Sequence, residues 1–334
     1  MKTILNNTII LFILLQIIIM NCSNNLNSFN EYKDLPGLKC KEKDIPVLQN
    51  IASDAGISLK RLMVYDDIEF FYKDYRNAKD GIFLNSVGNI TALRLRNTKF
   101  SNLKLLKALT ELERIDLSNN RILKIDGLDN LHKLKSLNLS DNKISKLEGL
   151  DNLYELKGID LSNNKILKLE GLDNLHELKY LHTRKNNITE IENLESLNSL
   201  DSLDIAMNKI SGTVKFKGLN KLRVLFIYRN NIDAIEFNGL KNLRWIMARW
   251  NKITEIKNIR VSSKLSDLDI YGNPIYDIEG IESLKRLKNV YIGREYDEDY
   301  YAKADPLIEK LKKMKVKVIT APDVHIEPDP DVYE

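Results

Sequence analysis

The chain is poor in the residues that build most catalytic sites and most stapled folds. Two cysteines in 334 residues are too few for a disulfide framework, and four histidines leave little material for metal centres. Seven prolines and fourteen glycines fall far below what collagen-like or low-complexity chains contain. Aromatic residues make up only 7%, two of them Trp, so a large mixed aromatic core is excluded. Neither charge dominates: 51 Lys and Arg against 47 Asp and Glu give +4, too balanced and interspersed for a nucleic-acid binder. What the chain has instead is 51 Leu and 36 Asn.

Its one long apolar run is residues 9–20 (IILFILLQIIIM), after the basic Lys2. Twelve residues at about 1.5 Å each fall short of a roughly 30 Å hydrocarbon core, so the run suits the centre of a signal peptide over residues 1–21. The next residues, Ile19-Met20-Asn21-Cys22, resemble the cleavage box of a bacterial lipoprotein. That resemblance implies lipidation at Cys22 and an exported protein anchored to a bacterial membrane on its surface or periplasmic side. Met20 and Asn21 depart from the stricter small-residue pattern, so ordinary cleavage and an uncleaved anchor stay open. Residues 22–40 read as a polar tether, with Cys40 as a lone thiol.

A 22-residue period dominates the rest. LERIDLSNNRI (112–122), LKSLNLSDNKI (134–144) and LKGIDLSNNKI (156–166) are followed by LKYLHTRKNNI (178–188) and LDSLDIAMNKI (200–210). LRVLFIYRNNI (222–232), LRWIMARWNKI (243–253) and LSDLDIYGNPI (265–275) complete the series, with degenerate units at 90–100 and 287–295. In LKSLNLS, Leu137 and Leu139 alternate with polar residues, so a short strand buries Leu and turns Ser136, Asn138 and Ser140 outward. One such strand cannot bury its own face, but about ten stacked in parallel make a continuous leucine core. The Asn that ends each unit, from Asn120 to Asn273, has an amide able to donate and accept where backbone groups lose their sheet partners.

The LxxLxLxxNxI pattern resembles leucine-rich repeats over residues 90–295, especially the 22-residue repeats of bacterial internalins. It is also similar to the repeats of a protein-phosphatase regulatory subunit. The resemblance implies an α/β leucine-rich-repeat solenoid, curved, with a parallel concave sheet and a convex side of 3₁₀ turns and short helices. Between the signature segments, Leu147, Leu150, Leu153 and Leu156 recur every third residue, as 3₁₀ turns require. Residues 41–89 are expected to cap the first repeat, with a helix near 44–55. Residues 296–321 are expected to cap the last, with an amphipathic helix at 300–314 and a strand at Val316–Ile319. Residues 322–334 form an acidic, Pro-rich tail.

No catalytic pattern emerges, and no cofactor is expected. His132 and His176 occupy one convex position two repeats apart, about 10 Å at ~4.8 Å per strand, too far to share an ion easily. No phosphate loop, HExxH or nucleophile elbow occurs, so the chain reads as a non-enzyme.

Function should therefore lie in the outward strand positions and in the residue before each ladder Asn, which carry no core duty. Early repeats offer small and polar groups there. From the fifth repeat these become Tyr180, His182 and Arg184, then Phe226, Tyr228 and Arg229, then Trp245, Met247, Arg249 and Trp250. Asp267, Asp269, Tyr271 and Tyr291 close the series. Trp, Tyr and Arg dominate binding hot spots, so this surface is expected to be exposed and to recognise a protein partner. Asp267 and Asp269, beside Arg229 and Arg249, would orient the partner's charges. The resemblance to internalins makes a host surface protein one candidate partner, its identity open. A carbohydrate that stacks on the aromatics, a periplasmic scaffolding role and a phosphatase-type regulatory role stay open.

Overall fold

The computed structural model describes residues 44–57, 63–65, 81–86, 88–293 and 298–320. The signal segment, Cys22, Cys40, the tether and the acidic tail lie outside these residues. Along the chain, helix α1 (Ile45–Ala55) precedes β1 (Met63–Tyr65), β2 (Gly81–Leu84) and β3 (Ile90–Arg94). Each repeat then contributes a three-residue strand: β4 (Arg114–Asp116), β5 (Ser136–Asn138), β6 (Gly158–Asp160), β7 (Tyr180–His182) and β8 (Ser202–Asp204). Beyond them β9 (Ser211–Lys215), β10 (Val224–Phe226), β11 (Asn231–Glu236), β12 (Trp245–Met247) and β13 (Glu255–Lys257) alternate between two sheets. Finally come β14 (Asp267–Asp269), β15 (Asn289–Tyr291), helix α2 (Glu298–Lys313) and β16 (Lys317–Ile319).

The main sheet runs β1-β2-β3-β4-β5-β6-β7-β8-β10-β12-β14-β15-β16. Only β2 and β3 pair antiparallel; the other neighbours are parallel and in register, as in Leu137↔Ile159↔Leu181. Repeats of equal length deliver equivalent residues to the same depth, so Leu137, Leu139, Ile159 and Leu161 join one buried core that runs the length of the solenoid. The architecture is the parallel-sheet solenoid that the repeat pattern implies.

The asparagine ladder works as the sequence suggests. Asn164 Nδ2 donates to Leu161 O in its own repeat and to Leu139 O in the one before, both at 3.0 Å. Its Oδ1 accepts from Ile144 N–H at 2.9 Å. Asn142, Asn186, Asn208 and Asn230 repeat these contacts, and Asn120 at the start accepts from Thr98 N–H and its hydroxyl. Convex turns in the early repeats close with i→i+3 bonds, such as Leu153 N–H to Leu150 O at 3.0 Å. Gly149 stands in such a stretch at φ +86, where a Cβ would lie 2.2 Å from Ile125 O. Only glycine fits that approach.

The later convex side departs from expectation. β9, β11 and β13 form a second, three-stranded parallel sheet in the order β13-β11-β9, with a bulge at Ile232/Ala234. The local sequence explains it: Leu at every third position gives way to alternating β-branched and aromatic residues, such as Val214 and Phe216, all buried. At the N-terminal end, α1 lays Leu48, Ile51 and Ala55 into the core. Asp54 there accepts from Ser101 N–H at 2.7 Å and Asn102 N–H at 3.1 Å. At the other end, Ala304, Leu307 and Leu311 of α2 cover the last repeat, and β16 extends the sheet from β15. No helix among the described residues is long and apolar enough to cross a membrane.

Candidate binding surface

Outward positions of the main sheet form three rows across the repeats, and a fourth row follows where the strands end. The second row is largely structural. Asp116, Asn138, Asp160, Asp204 and Asp269 each accept, through one side-chain oxygen, from the backbone N–H two residues on, at Ser118, Ser140, Ser162, Ala206 and Tyr271. Such short polar side chains close the strand end. Asp269 also pairs with Arg249 in a nearly solvent-free site. Burial pushes its carboxyl up to about 6 against the opposing pull of Arg249, and burial likewise raises Asp204.

The expected exposure of this face needs correction. Trp245 is only 5% exposed, and its indole N–H is buried without a hydrogen-bond partner. Phe226, Arg249, Asp269, Tyr271 and Tyr291 are buried as well. Parallel strands lie about 4.8 Å apart, so a large outward side chain is covered by its neighbours on both sides. Instead of standing free, Ala206, Val224 and Phe226 pack as a second apolar cluster on the sheet's outer face, with Met207, Tyr228 and Met247 against it. Asp267 is tied to Asn289 Nδ2 at 2.6 Å.

What remains accessible is a narrower set. Tyr180, His182, Tyr228, Met247 and Asp267 are half-buried, and Arg184, Arg229 and Trp250 are exposed. These residues are organised by cation–π contacts: Arg229 lies 4.8 Å from the Trp250 ring and Arg184 5.4 Å from the Tyr228 ring. Arg184 Nε also donates to Met207 Sδ at 3.4 Å. Trp250 is 40% exposed, and its ring reaches over Gly272, where a Cβ would fall 2.7 Å from the indole. Gly272 therefore makes room for the indole.

The residue before each ladder position is left-handed in nine successive repeats: Asn97 (before Thr98, which stands where later repeats have Asn), Asn119, Asp141, Asn163, Lys185, Met207, Arg229, Trp250 and Gly272. Asn, Asp and Gly tolerate that conformation; Lys, Met, Arg and Trp adopt it at a cost of about 1 kcal/mol or more each. Met207 joined the surface unforeseen. The signal for it was present in the sequence, since it precedes Asn208 as Trp250 precedes Asn251.

The family model for leucine-rich repeats, two copies, matches residues 110–152 and 132–174. Residues 110–174 therefore carry leucine-rich repeats. The chain's fold is similar to the leucine-rich repeat domain of APL1B, at 18% identity and a TM-score of 0.53, over 59% of this chain and 62% of that one. Internalin C2 of Listeria monocytogenes aligns at 23% identity and a TM-score of 0.49, over 74% of this chain and 92% of that one. A leucine-rich-repeat protein of Leptospira interrogans aligns at 19% identity and 0.47, over 72% and 76%. No curated protein sequence matches. Among the described residues, no three His, Cys, Asp or Glu side chains converge as metal ligands. His132 and His176 each lie against the following repeat, His132 Nδ1 at 3.3 Å from Asn152 O and His176 Nδ1 at 3.3 Å from Ser196 O.

Proposed function

We propose that this chain is a non-enzymatic binding module, exported and held to a bacterial envelope by a lipid on Cys22, that recognises a protein partner. Recognition uses the accessible strand-end surface of the later repeats: Tyr180, His182, Arg184, Met207, Tyr228, Arg229, Met247 and Trp250. One observation carries the reading. Four successive repeats place Lys185, Met207, Arg229 and Trp250 in a backbone conformation that the early repeats give to Asn and Asp. Large side chains kept at strained positions, around a second apolar cluster, are expected where contact with a partner repays the strain.

The experiment is capture with the mature chain, residues 22–334, from cells or host extract, followed by titration of the captured protein. Trp250→Ala and Arg229→Ala should each weaken binding by roughly 10-fold or more while the solenoid stays folded, as expected of hot-spot residues. Unchanged affinity in both variants would move the site elsewhere. Mass spectrometry of the mature N-terminus tests the lipid, since an unmodified residue there excludes the anchor. Proteolysis of intact cells tests exposure, and complete protection would favour a periplasmic role over surface adhesion.

A further inference from the structure

Basic side chains line both ends of the strands. At the strand entrances, Lys133 pairs with Glu111, Lys135 with Glu113 and Arg223 with Asp201, whereas Lys157, Lys179 and Arg244 are exposed and, among the described residues, have no acidic side chain within ion-pair distance. At the strand exits, Arg184, Lys185, Lys209, Arg229 and Lys252 are exposed, and among the described residues none has an acidic partner within ion-pair distance. This rim also carries Met207, Tyr228 and Trp250, so it presents cations interleaved with apolar surface.

The last strand delivers the chain to the same rim. β16 is parallel to β15 with Tyr291 opposite Ile319, so the chain leaves β16 on the exit side. The residues that follow, 321–334 (APDVHIEPDPDVYE), carry five carboxylates and no Lys or Arg. Val324, Ile326, Val332 and Tyr333 are interspersed among those acids. The composition complements the rim in both charge and apolar content. Reach is sufficient: β12 lies three strand spacings from β16 and β7 lies six, about 14 and 29 Å at ~4.8 Å each. Fourteen extended residues span roughly 46 Å at ~3.3 Å each.

We propose that residues 321–334 dock in cis along the exit rim, their carboxylates on Arg229, Lys209, Lys185 and Lys252 and their apolar side chains against Trp250. The segment thereby covers part of the candidate binding surface, and an external partner must displace it. The docking stands whatever the partner; only the competition rests on the proposed binding function.

The test uses the full chain and no partner, so its failure is distinct from failure of that reading. Carbodiimide cross-linking joins a carboxylate to an amine in direct contact. Mapped by mass spectrometry, it should link Glu327, Asp329 or Asp331 to Lys185, Lys209 or Lys252 within one copy. The links should form at 0.1 M salt and be lost at 1 M, where the screening length falls from about 10 to about 3 Å. Absence of these links, links to entrance-side Lys133 or Lys135, or links only between copies would each overturn cis docking. A second measurement needs no cross-linker. With all five acids of the segment neutralised (Asp323→Asn, Glu327→Gln, Asp329→Asn, Asp331→Asn, Glu334→Gln), acrylamide should quench Trp250 more strongly than in the wild type. Equal quenching overturns the proposal. So does recruitment to phosphatidylglycerol vesicles that this neutralisation leaves unchanged, which would assign the rim to lipid.

Discussion

Asn164→Ala probes the ladder at the centre of the solenoid. Deletion of the amide removes four hydrogen bonds, the longest of them to Ser162 O at 3.3 Å, but their loss is unequal. Leu161 O keeps a donor in Asn186 Nδ2, and Leu139 O keeps one in Asn142 Nδ2, because each ladder carbonyl accepts from two successive amides. Ile144 N–H, buried at 2.9 Å from Asn164 Oδ1, loses its only acceptor. The orphaned N–H costs about 1–3 kcal/mol and the two shared bonds about 0.5 each, so the expected loss is roughly 3 kcal/mol. At the ladder's end the sharing stops: Ile270 O accepts from Asn273 alone among the ladder amides. Asn273→Ala should therefore cost about 1 kcal/mol more than Asn164→Ala, despite lying near an end. Urea unfolding followed by far-UV circular dichroism and by tryptophan fluorescence measures both. A loss under about 1 kcal/mol for Asn164→Ala, or the opposite order of the two variants, would refute the account of shared acceptors.

Trp245→Ala should empty a buried site and cost about 3–5 kcal/mol, whereas Trp250→Ala should change stability by under about 1 kcal/mol; urea midpoints of the two decide it. Asp269 is raised from 3.8 to about 6, so the folded state binds its proton more tightly and stability falls as pH rises between those values. Relative to Asp269→Asn, the wild type should lose about 3 kcal/mol from pH 3.5 to 6.5, and parallel pH profiles would remove that role from Asp269. Gly149→Ala should cost about 2 kcal/mol or more in the same assay, because a Cβ there meets Ile125 O at 2.2 Å, and a neutral effect would contradict the close approach.

Much of the candidate surface was legible as a place but not as a set of exposed side chains. The repeat assigns Trp245 and Trp250 equally to outward or free positions, yet one is buried and the other stacks on Arg229. Position within a repeat is a property of one strand, while exposure depends on side chains one and two strands away. Charge pairing failed for the same reason: Asp269 was expected to face a partner, and it is held by Arg249 and the Tyr271 N–H. The second convex sheet was readable in principle, since Val214 and Phe216 alternate where earlier repeats place Leu at every third residue.

By itself the sequence determined the period, the leucine core, the asparagine ladder and the parallel stacking. These follow from identical short segments that cannot bury one face alone and must satisfy their backbone at each turn. Tertiary structure alone decided which outward residues meet solvent and which carboxylates are desolvated. Those properties belong to contacts between repeats, and side chains packed about 4.8 Å apart either cover one another or, at the strand ends, stay open.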